Sequence, residues 1–221
     1  MATPQSVLLL GATGLVGGEC LKLLCADDSW QRVITLTRRP LPAEGQHPKV
    51  ENHAIDFDRA GDYREQISAG RVICALGTTI KKAGSQENFY KVDFTYAYEL
   101  ARIARENGAE HFLLVSSSGA DARSRIFYSR VKGELEEALK TLGYPALSIF
   151  QPSLLLGDRR ETRPGEDIAK FISGLFGFAI PARYKPVHAR SVAAAIVQVA
   201  RENRPGIRIL ESDEIRRIGA A

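Results

Sequence analysis

Lys132 follows Tyr128 by four positions in Tyr128-Ser129-Arg130-Val131-Lys132, and no other of the seven tyrosines is followed by a lysine four residues on. On a helix, positions i and i+4 share a face, so the phenol and the ammonium become neighbours. A phenol titrates near about 10 and is a poor acid–base group at neutral pH, but an adjacent ammonium lowers that value. So tuned, it can give its proton to a carbonyl oxygen while hydride reaches the carbonyl carbon. A second cluster could hold the hydride carrier: Gly11-Ala12-Thr13-Gly14-Leu15-Val16-Gly17. Its first glycine allows a sharp turn, its second removes a Cβ where a pyrophosphate must approach, and its third lets a helix pack closely on a sheet. The helix N-terminus would then offer free amides and the positive end of its dipole to the phosphates. No Gly-Lys-Ser/Thr follows the turn, which excludes a mononucleotide P-loop.

The elements that must position these residues follow from hydrophobic periodicity. Val7-Leu8-Leu9-Leu10 is a continuous apolar run, as in a parallel strand buried on both faces. The spacing predicts helices over 15–24, 89–107 (closing at Gly108) and 127–142 (stopped by Gly143), with further helices at about 167–176 and 191–201. Strands are expected at 33–36, 50–55, 71–76, 111–115, 146–150 and 207–210, with a Pro/Gly-rich loop between the second and third. Strands alternating with helices imply an α/β fold, a Rossmann-type doubly wound parallel sheet. Residues 1–221 then form one dinucleotide-binding domain, in which about 152–221 make a small C-terminal substrate lobe.

The spacing GxxGxxG, with Ala12-Thr13 inside it, resembles the extended and atypical short-chain dehydrogenase/reductases. In NAD enzymes of this kind an acidic residue after the second strand holds the ribose 2′-hydroxyl. This chain instead reads Thr37-Arg38-Arg39, and two guanidiniums can clamp a 2′-phosphate. Each charge-assisted hydrogen bond contributes roughly 1.5–3 kcal/mol, so two would favour NADP(H) over NAD(H) by about 10²–10⁴-fold. The resemblance further implies adenine contacts at Asp56-Phe57, although Asp56 is equally a candidate helix N-cap. Leu76-Gly77-Thr78-Thr79, after the fourth strand, would lie along the cofactor, and Ser116, Pro152 and Leu154 would add contacts. Tyr128 and Lys132 fall where this superfamily keeps its catalytic pair, with Lys132 also holding the nicotinamide ribose. A hydroxyl from Ser116-Ser117-Ser118 would hydrogen-bond the substrate carbonyl, Ser117 being preferred and Ser118 close behind.

Several stretches resemble a narrower group, the Tat-interacting-protein-like branch of atypical short-chain dehydrogenases: Gly77 to Ser85, Val92-Asp93, Ser116 to Asp121 and Tyr128 to Glu134. Gln151 stands where many relatives have Arg, and Ser191 where many have Asp. The implied activity is NADPH-dependent reduction of a small-molecule carbonyl substrate. A non-catalytic NADPH-binding regulator or scaffold is the alternative, and an isomerase or dehydratase with tightly held cofactor ranks third. His188 is read as a structural or rim residue.

Composition narrows the setting. A formal charge of +4 suits an anionic ligand but is too small, and too scattered, to imply nucleic acid. No apolar run is long enough to span a bilayer, no signal peptide is recognisable, and no His/Cys/Asp/Glu spacing suggests a metal. Three cysteines without a CxxC pair read as reduced thiols, and the expectation is a cytoplasmic monomer or homodimer without membrane or nucleic-acid partners.

Overall fold

β1 (Gln5–Leu10) shows how the core is divided. Side chains alternate along a strand, so Val7 and Leu9 face one side of the sheet and Leu8 and Leu10 the other; all four are fully buried. The computed structural model describes residues 5–157 and 181–220. From β1 the chain turns through the glycines into α1 (Leu15–Ala26), then β2 (Trp30–Thr37), β3 (Val50–Ala54) and β4 (Arg71–Cys74). Two short helices, α2 (Ile80–Ala83) and α3 (Gln86–Tyr90), lead through residues 91–96 into α4 (Ala97–Glu106). β5 (His111–Val115), α5 (Phe127–Lys140) and β6 (Ala146–Gln151) follow, then β7 (Leu155–Leu156), β8 (Val187–His188), α6 (Ala189–Glu202), β9 (Gly206–Glu211) and α7 (Ser212–Gly219).

The main sheet has seven parallel strands in the order β3-β2-β1-β4-β5-β6-β9. This is the doubly wound Rossmann arrangement. Its order reverses between β1 and β4, and ligands bind at such a switch point, beyond the carboxyl ends of the strands. α1, α6 and α7 bury one face with Val7, Leu9 and Trp30; α4 and α5 bury the other with Leu8, Leu10 and Phe112. Residues 189–220 therefore build onto the main body, while β7 and β8 form a separate parallel pair.

The structure departs from the sequence reading in several places. The fourth strand stops at Cys74 rather than Leu76, because the Ala75 carbonyl must pass against Gly11. The helix expected over 89–107 begins earlier, at Gln86, and residues Lys91–Tyr96 run as a π-type turn inside it. α2, the β7–β8 pair and the terminal helix α7 were not anticipated. The helix expected at about 167–176 and the basic pair Arg159-Arg160 lie outside the described residues.

Candidate functional site

The turn from β1 into α1 is shaped by close backbone approach. Gly11 has φ +85, and a Cβ there would lie 2.5 Å from the Ala75 carbonyl oxygen. A Cβ on Gly17 would sit 2.0 Å from the Gly11 oxygen, so the first turn of α1 can close on the loop only without one. α1 begins at Gly14 with no side-chain cap and no acidic residue in its first turn. Its first amides lack intrahelical partners and face an edge where Thr13 and Gly14 are exposed. That arrangement fits a pyrophosphate: free donors, a favourable dipole and no competing carboxylate. Ala12 and Val16 are buried and anchor the turn in the core, with Leu15 packed at its rim.

At the carboxyl end of β2, Arg38 and Arg39 are exposed and neither pairs with a described carboxylate. Thr37 is buried: its hydroxyl donates to the Arg39 carbonyl at 2.6 Å and accepts from Asn52 at 2.9 Å, so it shapes the loop that carries the arginines. Asp56 caps the short 3₁₀ helix Phe57–Tyr63 by accepting from the Asp58 amide at 3.0 Å. Phe57 is buried and packs on the Tyr96 ring, centroids 5.5 Å apart.

Past β4, Leu76 to Thr79 cross the switch point. Thr79 caps α2 through the Lys82 amide. Beneath Gly77 and Thr78 lies a buried ion pair. The Lys132 ammonium is 2.8 Å from Asp93 Oδ1, with the two side chains 5% and 1% exposed. Asp93 Oδ2 accepts from the Thr78 amide at 2.8 Å. A Cβ on Gly77 would stand 3.4 Å from Asp93 Oδ1 and 3.7 Å from Lys132 Nζ, which places the pair directly against that loop. Burial by itself would lower the Lys132 pKa, but the Asp93 carboxylate overcomes it, with Tyr128 and Cys74 adding, and the net shift is upward. Tyr128, one turn before Lys132 on α5, is the partly open member; its ring rests 5.6 Å from the fully buried Phe89.

The three serines after β5 separate clearly. Ser116 is buried and donates to Glu136, itself buried on α5 and also bonded by Gln151 Nε2 at 3.0 Å. Ser117 Oγ is buried and has no hydrogen-bond partner among the described residues. Ser118 donates its amide to the Pro152 carbonyl at 2.9 Å, tying this loop to the one carrying Leu154, whose carbonyl accepts from Val187. The loop lies so close to α5 that a Cβ on Gly133 would be 2.1 Å from the Ala122 nitrogen. Tyr128, Lys132 and the 116–118 loop are thus assembled on one helix and the strand end beside it.

The structure brings together the glycine turn, residues 76–79, the serine loop, the Tyr128–Lys132 pair and residues 152–154 along one edge of the sheet. It turns Thr37, Phe57 and the Ser116 hydroxyl inward. Sequence reasoning gave no role to Asp93, Gly133 or Glu136. Asp93 did leave a signal: it is an acid on a helix segment whose neighbours at helical spacing, Phe89 and Tyr96, are aromatic, whereas Glu136, with Lys132 and Lys140 at such positions, left none.

A family model described as NAD(P)H-binding matches residues 11–146. The chain is 38% identical to "Protein fmp52, mitochondrial" of Emericella nidulans over 177 residues, 78% of this chain and 76% of that protein. It is also 38% identical to "Protein HTATIP2" of Rattus norvegicus, over 80% of this chain and 76% of that one. Among solved structures, MoeE5 in complex with UDP-glucose and NAD superposes with a TM-score of 0.70 at 14% identity, covering 98% of this chain and 81% of that chain. The Bordetella bronchiseptica enzyme WbmH in complex with NAD+ gives 0.72 at 16%, covering 95% and 76%. At such identities the likeness is one of fold. The fungal relatives' names overturn the expectation of a cytoplasmic location. The three free thiols on which it leaned fit any reducing compartment equally well.

Proposed function

The chain belongs to the NAD(P)H-binding family, within the HTATIP2-like branch of the atypical short-chain dehydrogenase/reductases, and we propose that it is an NADP(H)-dependent reductase of a small carbonyl compound. When bound, the reduced nicotinamide supplies the hydride. Tyr128 gives its proton to the carbonyl oxygen, and Ser117, whose hydroxyl has no partner among the described residues, donates a hydrogen bond to the same oxygen as charge develops. Lys132 keeps a positive charge beside the phenol and has donors left for the nicotinamide ribose. Arg38 and Arg39 would bind the 2′-phosphate. The observation that carries this reading is the buried Lys132 ammonium, one helical turn from Tyr128 and pressed against Gly77 at the switch point.

The test is NADPH oxidation in the presence of a panel of aldehydes and ketones. Tyr128→Phe is expected to lose about 10²-fold or more in turnover with NADPH affinity retained. Equal rates for the two proteins would remove Tyr128 from the chemistry. Calorimetry should find NADPH bound about 10²–10⁴-fold more tightly than NADH, and the double change Arg38→Ala/Arg39→Ala should erase that preference. One observation favours a second reading, a cofactor-binding regulator without turnover: Asp93 already neutralises the charge that would act on the phenol. That reading requires NADPH binding with no oxidation against any carbonyl.

A further inference from the structure

Lys132 and Glu136 are spaced like a helical ion pair, yet Glu136 is taken by Ser116 and Gln151, and the lysine's counter-ion comes from another element. That counter-ion is Asp93, carried in the π-type turn Lys91–Tyr96. A π-type turn holds one residue more than an α turn and re-aims what it carries; such insertions into helices occur often at functional sites. Here it presents an acid to the interior, where an unpaired carboxylate would be expensive.

We propose that Asp93 is a positioning residue of the Tyr128–Lys132 pair: one carboxylate oxygen holds the Lys132 ammonium and the other holds the Thr78 amide, locking the charged lysine to the loop along which the cofactor would lie. Among the described residues, the groups facing Lys132 leave no substitute. From α5 it meets the Tyr128 phenol. From β4 it meets Cys74, whose thiol is pushed up to about 11 by burial and stays protonated near neutrality. From the loop it meets the Gly77 backbone. A buried ammonium deprived of its one carboxylate partner among the described residues sheds its proton more easily. Without Asp93, therefore, Lys132 would lose both its fixed charge and its tie to Thr78.

The proposal rests on reading Tyr128 and Lys132 as the reacting pair, but its main readout needs neither cofactor nor substrate. Full-length protein labelled with ¹³C at the lysine ε-carbon is titrated by NMR, the Lys132 signal being assigned by its loss in Lys132→Met. In Asp93→Asn, which removes the charge but keeps an acceptor for Thr78, Lys132 is expected to release its proton about one unit lower or more, a tenfold or greater change. An unchanged titration overturns the proposal. Asp93→Ala should, in addition, speed hydrogen exchange at the Thr78 amide beyond its rate in Asp93→Asn; equal exchange overturns that arm. If Asp93→Asn does not fold, Asp93→Asn/Lys132→Met is expected to fold, because it removes the stranded charge, and failure of that double variant overturns the pairing. Where turnover is found, Asp93→Asn should lose it mostly on the alkaline side; a uniform loss at every pH marks a merely structural role and overturns ours. If no NADPH binding were found, the proposed function would fall while the lysine titration still decided the clamp.

Discussion

Two carboxyl groups are buried against the inner face of α5, one turn apart, and they are kept there by opposite means. Asp93 meets an ammonium and an amide, so its charge is answered in full. Among the described residues, Glu136 is hydrogen-bonded only by neutral donors, the Ser116 hydroxyl and the Gln151 amide. Burial raises the Glu136 pKa, and the two hydrogen bonds only partly offset it; Lys140 opposes the rise and Glu137 adds to it. The same chemical group is thus held by an opposite charge in one place and by neutral hydrogen-bond donors in the other.

Removing the cation should expose the difference most strongly. Lys132→Met leaves Asp93 buried without its partner, and breaking such a pair costs about 3–5 kcal/mol. Urea unfolding near neutral pH should show that loss, and Asp93→Leu/Lys132→Met should recover much of it, since a well-packed apolar replacement carries no stranded charge. A small loss in the single variant would mean that Asp93 simply takes up a proton, and the contrast with Glu136 would dissolve.

Gly133 packs against the loop that follows the serines, and a side chain there should damage that side of the site alone. In Gly133→Ala the new methyl would run into the backbone of Asp121 and Ala122, at a cost of roughly 1–3 kcal/mol for overpacking. The loop carrying Ser116 and Ser117 must then move, while Lys132 is held by Asp93 from the Lys91–Tyr96 turn, outside that loop. NADPH affinity and the Lys132 titration should stay near their original values, while turnover falls. Equal losses in both would show that the serine loop and the lysine clamp are one unit.

Much of the frame was legible because it depends on short-range pattern. Four apolar residues followed by glycines at 11, 14 and 17 fix a strand, a turn and a helix within twenty positions, and the helical stripe from Val131 to Leu139 put Tyr128 and Lys132 on one face. The details that depend on tertiary contact were not legible. Nothing in Val92-Asp93 says that the helix will widen into a π-type turn and aim the acid at a lysine thirty-nine residues later. Thr37 and Ser116 have the right residue type for a ligand contact, yet each hydroxyl is used up by the protein. That Ser116 is the serine engaged by the protein is decided by Glu136, which is buried on α5 beside Gln151 at the end of β6. The terminal helix did leave a local trace, with Asp213 and Glu214 in its first turn and Arg216 and Arg217 in its last, as the macrodipole favours.

The smallest expected effect tests the neutral side of the comparison. A carboxyl that holds its proton more tightly in the folded protein contributes stability that is full at and below the ordinary glutamate value of 4.5 and is lost as pH rises through the folded value. Glu136→Gln keeps an acceptor for Ser116 and cannot ionise. At low pH the two proteins should differ by about 1 kcal/mol or less, the net worth of a rearranged hydrogen bond. As pH rises, the variant should gain on the unaltered chain, because only the latter must either bury a charge or hold a proton against the solvent. Urea midpoints measured from pH 4.5 upward would reveal this as diverging curves. Parallel curves would show that Ser116 and Gln151 stabilise the ionised carboxylate well enough by themselves, and Asp93 and Glu136 would then be alike in charge though not in partners.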